Sequence, residues 1–402
     1  MFNKWRGKAV GAVLVITVSI LSWISPALAV SANDIQNATD RVLSYYSQQA
    51  SCNDWETLGL RWVGAKMAPH LASANATKAS DYARKLLGQI AAGESNTNIE
   101  TSIAALQGLQ GVNGDFNTPD NNTLNQTIWS VIALNCAAAN GFNVTYDRVK
   151  AAQYIADNQD ASGGFDESGW GVDVDSTAQT LIALAPYQAN YSVKMNQALA
   201  YLRNQQAASG GFQSWGSVSP DSTAAVIEAL IALGYDPQNP PGAGWQGNMV
   251  EALLSYQVTS GGFSNPVDPN KADSYTTRNV LLALGDLING KSKYQNPMPR
   301  GLFISLTKST PRLDSDATIT ALVRNTGNES QEFLLIAGVY DTALERMHVY
   351  SAMSQSIKGN SELELTYGLD LPASGSYQLR VYAWDNWTNR TPLASPAIIS
   401  LP

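Results

Sequence analysis

Between residues 148 and 290 the chain alternates two kinds of segment. "RVKAAQYIADNQ", "VKMNQALAYLRNQQ" and "GNMVEALLSYQ" place apolar residues at helical spacing opposite a polar face, which predicts helices wetted on one side. A Gly-Gly turn stops each of them. Then come "DSTAQTLIALA", "DSTAAVIEALIALG" and "DSYTTRNVLLALG", apolar around most of their circumference, as buried helices are. The turn itself recurs as "NQDASGGF", "NQQAASGGF" and "YQVTSGGF", ending at Phe165, Phe212 and Phe263. Its first glycines, Gly163, Gly210 and Gly261, are 47 and 51 residues apart, and a degenerate copy, "QGVNGDF", runs from Gln110 to Phe116. One supersecondary unit per period marks a repeat fold. The pattern predicts helical hairpins stacked side by side, with the apolar helices inside around an axis: an α/α toroid.

Upstream, the spacing predicts helices over 34–49, 54–68, 78–91, 98–109 and 123–138, with Trp55, Trp62 and Trp129 in inner ones. Between 78 and 110 the pattern does not separate inner from outer. With the six later helices this makes eleven, so five or six hairpins over 30–290, an (α/α)5-6 ring. After Gly290 the helical period disappears. "KSKYQNPMPRG" reads as a linker over 291–300. From 301 to 402 apolar residues alternate with period two in seven short runs broken by turn residues, which predicts an all-β, immunoglobulin-like sandwich without a disulfide.

The first 29 residues stand apart. Lys4, Arg6 and Lys8 precede an apolar run from Ala9 to Ile24, and Ala27-Leu28-Ala29 offers a small-residue cleavage site, the layout of a secretory signal peptide. The run is shorter than the ~20 residues a span needs, so stable membrane insertion is not expected. At 402 residues, 44% hydrophobic and 14% charged, the chain suffices for two globular domains. Loss of the three leader cations takes the net charge from −8 to −11, which repels phosphate backbones and argues against nucleic acid. Two cysteines, Cys52 and Cys136, and two histidines, His70 and His348, are too few for a disulfide scaffold, a zinc site or a histidine triad. No cofactor is expected. Chemistry has to run on carboxylates, amides, hydroxyls and aromatic rings.

The Gln-x-x-Ser-Gly-Gly-Phe turns followed by Asp-Ser-Thr-Ala helices resemble the prenyltransferase and squalene-cyclase repeat superfamily, strongly over 148–290 and weakly over 34–147. That resemblance implies an α/α toroid but no single function, because the superfamily holds prenyltransferases, class II terpene cyclases, thioester domains and vitamin B12 carriers. The zinc-dependent branch requires Asp, Cys and His ligands, and neither Cys nor His falls at a matching repeat position here. The thioester branch requires Gly-Cys-Gly-Glu-Gln, whereas Cys52 sits in "SCNDW". For the cyclase branch the acid motif is Asp-x-Asp-Asp-Thr-Ala. Asp173-Val-Asp175-Ser176-Thr177-Ala178 matches it except at Ser176, which implies Asp175 as proton donor beside Asp173. An N-cap explains the same aspartate more simply. Asp221 and Asp273 open the corresponding helices, and one cap contributes ~1 kcal/mol. Only Asp173 has no counterpart in the other copies.

A concave site with a few polar groups is the expected ligand pocket of such a ring. Its candidates are Trp170 and Trp215 in the end loops, with Trp55, Glu56, Glu100, Gln126, Gln179, Glu228 and Arg278 on inner helices. The three phenylalanines are expected to pack in the core. These features read as a secreted protein that binds a ligand or partner at the mouth of the ring: a small hydrophobic, corrinoid or carbohydrate ligand, or a surface protein. The enzymatic alternative is an acid-catalysed terpene or squalene-type cyclase, or a carbohydrate lyase or hydrolase that uses paired carboxylates. Export predicts that the mature chain begins at Val30. N-terminal sequencing of the secreted protein checks this, and a membrane fraction retaining Met1 would refute it.

Overall fold

Capping residues and apolar spacing define the helices. The computed structural model describes residues 29–65, 70–73, 76–94, 96–118, 123–214, 216–299, 302–306, 316–325, 327, 329–359, 361–394 and 396–401. The expected leader and Trp215 lie outside the described residues. Eleven α-helices are found among those described. Six of them, α2 (Asp54–Trp62), α3 (Ala79–Ala92), α5 (Leu124–Ala139), α7 (Val174–Leu184), α9 (Pro220–Ala232) and α11 (Ser274–Asn289), contact one another in that cyclic order, and α11 returns to α2. The other five pack outside this cycle: α1 (Ala32–Tyr46), α4 (Asn96–Gln107), α6 (Arg148–Asp157), α8 (Gln188–Gln205) and α10 (Met249–Leu254). α3 is thus inner and α4 outer, which the sequence left open.

One hydroxyl repeats through the ring. Thr127, Thr177, Thr223 and Thr277, in the second turn of α5, α7, α9 and α11, each accept the backbone N–H of the phenylalanine that ends the preceding turn. The distances are 3.0 Å from Phe116, 3.0 Å from Phe165, 3.1 Å from Phe212 and 2.8 Å from Phe263. All four phenylalanines are buried, as expected. The motif glutamine laces the same turn outward: Gln159 Nε2 donates to the carbonyls of Gly163 and Lys194, both at 2.7 Å. Gln257 does likewise to Gly261 and to Ala38, so the last turn is tied to α1 and the ring closes. Gly163 has φ +90°, and a Cβ there would lie 2.6 Å from the Gln197 carbonyl, so glycine is required twice over.

The hydroxyl register corrects the assignment of caps. Asp173 caps α7, Ser219 caps α9 and Asp273 caps α11, each four residues before its threonine. Asp175 and Asp221 lie two residues beyond the cap and do not cap anything. The Asp-Ser-Thr-Ala alignment hid this, because in α9 serine has replaced aspartate as the capping side chain.

The segment expected as a linker over 291–300 is built into the helical part. Lys293 is fully buried, and its Nζ donates to Glu228 Oε2 (2.6 Å), Asp286 Oδ2 (2.9 Å) and the Leu282 carbonyl (3.2 Å). Burial works against the ammonium, but the two carboxylates hold its pKa up. Cys52 and Cys136 are buried and form no disulfide. A two-stranded hairpin, β1 (Phe212–Ser214) with β2 (Ser217–Ser219), leads into α9.

Beyond it, seven strands form two antiparallel sheets. β3 (Leu302–Leu306), β4 (Asp316–Asn325) and β7 (Ser361–Asp370) make one, in the order β3-β4-β7. β5 (Gln331–Asp341), β6 (Arg346–Ile357), β8 (Tyr377–Trp384) and β9 (Ala397–Ser400) make the other, in the order β6-β5-β8-β9. Both sheets feed one core that includes Ile319, Val323, Leu335, Val339, Leu379 and Val381.

The hydroxyl tie is testable in one repeat. Thr177→Val keeps the side-chain shape and leaves the buried Phe165 N–H without its acceptor, so stability should fall by about 1–3 kcal/mol in chemical denaturation. A loss below about 0.5 kcal/mol would show that the tie is dispensable.

Candidate active site

On α7, α9 and α11 residues at i, i+4 and i+7 line a cavity of about 750 Å³, to which α5, α2 and α3 add fewer. α5 contributes Asn125 and Trp129, α7 Asp175, Gln179 and Ile182, and α9 Asp221, Ala225 and Glu228. α11 contributes Tyr275, Asn279 and Leu282 with Arg278 beside them, and α2 supplies Trp55 next to its cap Asn53. The first residue of every stripe stands two positions beyond a cap: Trp55, Asn125, Asp175, Asp221 and Tyr275 form the mouth. Tyr275 is 59% exposed at that end, whereas Tyr294 at the other is 2% exposed. Tyr294, carried in by the Lys293 anchor, forms the floor. Trp129 stacks edge-on against Trp55 (4.8 Å between centroids) and lies 6.3 Å from Tyr294, so the deeper cavity is aromatic on one side.

Three carboxyls crowd the mouth on the α7–α9 side. Burial pushes the Asp175 carboxyl up to about 6 against the nearby Ser222 hydroxyl, and the charges of Asp173 and Asp221 add to the rise. Its Oδ1 is buried without a hydrogen-bond partner among the described residues. Glu167, on the loop before α7, is pushed up to about 8, by burial first, against the Asn125 amide and with help from Asp173, Asp175 and Asp166. Its Oε2 is buried and unpartnered in the same sense. Asp221 is raised by burial too, but accepts Asn279 Nδ2 at 2.8 Å and Thr276 Oγ1 at 3.0 Å. Asp173 is different: as the cap it accepts the Ser176 N–H (2.7 Å) and hydroxyl (2.9 Å), and it does not line the cavity. At neutral pH the mouth therefore holds Glu167 neutral, Asp175 titrating and Asp173 committed to structure.

Of the residues expected at a site, the structure brings Trp55, Asp175, Gln179, Glu228 and Arg278 together. Glu228 is occupied by Lys293. Glu56 is not free for a ligand, because its carboxylate accepts the Asn53 N–H at 2.8 Å in a capping box. Gln126 is 2% exposed and accepts the Ser80 N–H at 3.0 Å, a tie between α5 and α3. Glu100 was expected on an inner helix; it lies on α4, outside the ring and exposed, because α4 is wetted and α3 is not. Trp170 is 80% exposed on a loop braced by Asp166, whose carboxylate accepts the N–H groups of Ser168, Gly169 and Gly171, and it is not among the lining residues.

Sequence reasoning missed Glu167, Asn125, Asp54, Ser73, Arg84, Trp129 and Tyr294. Asn125 was legible, since it occupies the repeat position of Asp175. Asp54, 2% exposed at the start of α2, accepts Ser73 Oγ and lies 2.9 Å from His70 Nε2, and both partners come from a segment with no repeat signal. Among the described residues no His, Cys, Asp and Glu cluster could hold a metal ion, and no helix is long and apolar enough to cross a membrane.

No protein family matches the sequence, and no curated protein does. Among solved structures, the type II terpene cyclase MstE from Scytonema (apo) is similar at 17% identity and a TM-score of 0.46, covering 65% of this chain and 100% of that one. A single-residue variant of that cyclase, in complex with geranylgeranyl dihydroxybenzoate, its substrate, is similar at 18% identity and 0.45, covering 64% and 98%. A β-glucuronidase of Bacteroides uniformis is similar over 25% of this chain and 13% of its own, at 16% identity and 0.20. All three scores lie below 0.5, and none of these likenesses carries weight for what this chain does.

The raised carboxyls set a pH dependence of stability. Because the Glu167 carboxyl sits at about 8 rather than 4.5, the folded chain binds more protons than the unfolded one between those values, and stability falls as pH rises through that window. Glu167→Gln removes this contribution. Thermal melts from pH 5 to pH 8 should show a shallower decline for the variant, and parallel curves would mean that the Glu167 carboxyl is not held protonated.

Proposed function

We propose that the cavity is the active site of an acid catalyst that protonates an alkene, with Asp175 as the proton donor, and that the chain acts as a terpene-type cyclase on a small hydrophobic, polyprenyl ligand. One observation carries the reading: Asp175, a side chain of the cavity lining pushed up to about 6, has a buried carboxyl oxygen without a hydrogen-bond partner among the described residues. A carrier needs a cavity but has no use for a strained acid in its wall. Export, inferred from the leader, is proposed with it.

The chemistry follows from what these side chains hold. Protonated Asp175 gives its proton to a terminal olefin carbon, whose π electrons form the new C–H bond and leave a cation on the neighbouring carbon. The next olefin's π electrons close a C–C bond, and loss of a proton to water ends the sequence. The faces of Trp55, Trp129 and Tyr294 attract a developing cation electrostatically, while their bulk keeps water from quenching it. Water at the mouth returns a proton to Asp175, and Glu167, which keeps its own proton to about pH 8, adds no charge beside it.

Turnover should therefore fall as pH rises through about 6. Asp175→Asn cannot donate that proton and should abolish turnover of polyprenyl substrates. Because Asp175 caps nothing, the melting temperature of this variant should hold or rise above pH 6. Turnover that survives in Asp175→Asn would end the proposal, and a wild type inert towards polyprenyl substrates would favour the binding-protein reading.

A further inference from the structure

Most cations around this cavity are already committed. Lys293 is enclosed by Glu228 and Asp286. Arg84 Nε lies 3.6 Å from Asp54 and its Nη2 3.4 Å from Asp81. Arg278 differs. Its guanidinium lines the cavity, stacks on the Tyr275 ring at 4.4 Å, and is held by one bond, from Nε to Asn279 Oδ1 at 3.3 Å. Among the described residues no carboxylate lies within 4.0 Å of it, and neither Nη has a hydrogen-bond partner. Asp221, which feels its charge, spends its oxygens on Asn279 and Thr276. Stacking and the Nε bond fix the plane of the fork while its two outer nitrogens stay open, the geometry that grips a planar anion from two points.

We infer that Arg278 docks an anionic head, a carboxylate or a phosphate, at the end of the unsaturated chain that the cavity takes. The open fork orients such a ligand. It lies on α11, and Asp175 lies on α7 across α9, so the head goes to the α11–α2 side, away from the acid. Asn53, on that side, uses its Oδ1 to cap α2 and leaves its amide N–H groups for the same anion. The far end of the chain then lies across the mouth towards Asp175. This inference rests on the acid-catalysis reading for the nature of the chain, but the head is recognised by a residue that the proton transfer does not use.

The test uses the full mature protein in the Asp175→Asn form, so that no ligand is consumed. Farnesoic acid, farnesyl monophosphate and farnesol share one chain and differ in the head, and calorimetry gives their dissociation constants. At least one anionic ligand should bind about tenfold or more tighter than the alcohol. Adding Arg278→Met, which keeps the stem and removes the fork, should bring that ratio to about one without changing the farnesol affinity or the melting temperature, while Arg278→Lys keeps part of it. Preference for the acid alone assigns a carboxylate head, and preference for the phosphate alone assigns a phosphate. Equal binding of all three, a preference that survives Arg278→Met, or no binding of any of them overturns the inference. A preference that holds in a protein whose wild type turns nothing over would instead remove the acid-catalysis reading and leave the head-group site standing.

Discussion

In four of the six inner helices, a single hydroxyl four residues beyond the cap sets which side chains reach the cavity. By accepting the phenylalanine N–H of the preceding turn, it fixes the rotation of the helix about its own axis relative to that turn. Rotation decides which positions face inward. With threonine turned to the Gly-Gly-Phe turn, the residue two before it faces the axis, and the cap, four before it, does not. Asp175 is thereby delivered to the cavity and Asp173 to the helix end, although only a valine separates them. Breaking the tie would leave a buried N–H without its acceptor, which is costly.

That rotation imposes an electrostatic cost which the molecule meets in two ways. At the floor, Glu228 and Asp286 are matched by a lysine drawn in from the segment after α11, and the three groups are buried together. At the mouth, Asp175 and Glu167 receive no cation and hold their protons to higher pH than a solvated carboxyl does, Asp175 to about 6 and Glu167 to about 8. Pairing stabilises charge, whereas isolation stabilises the neutral acid, and only an acid that still holds its proton can give it away. The same fold thus holds carboxylates paired with a cation and carboxyls without one a few helical turns apart. Arg278 extends the contrast, since it is a cation held in place by a ring and an amide rather than by an anion.

The anchor at Lys293 links this chemistry to the rest of the chain. It carries Tyr294 into the floor, where the ring completes the aromatic side begun by Trp55 and Trp129. The segment between the helical part and the sheets is therefore a wall of the site as well as a connection. Its polar, proline-broken composition gave no hint of this, because a buried lysine is acceptable only where two carboxylates wait for it.

Periodicity alone determined much of the helical part. Eleven helices, their approximate bounds, the repeat and the burial of Phe165, Phe212 and Phe263 all follow from spacing, because helix faces and turn glycines obey local rules that neighbours only reinforce. The seven strands were legible for the same reason. Which carboxylate caps and which faces the cavity was not legible. "DVDSTA", "SPDSTA" and "ADSYTT" align by eye on their aspartates, whereas the folded chain aligns them on their threonines. Glu100 looked like its neighbours until packing put α4 outside, and Glu167 and Tyr294 lie in segments with no period to read. Protonation, pairing and lining are properties of what surrounds a side chain in space. The sequence by itself set the elements and their order, and only the closed ring of six helices decided which acids would be left buried without a cation.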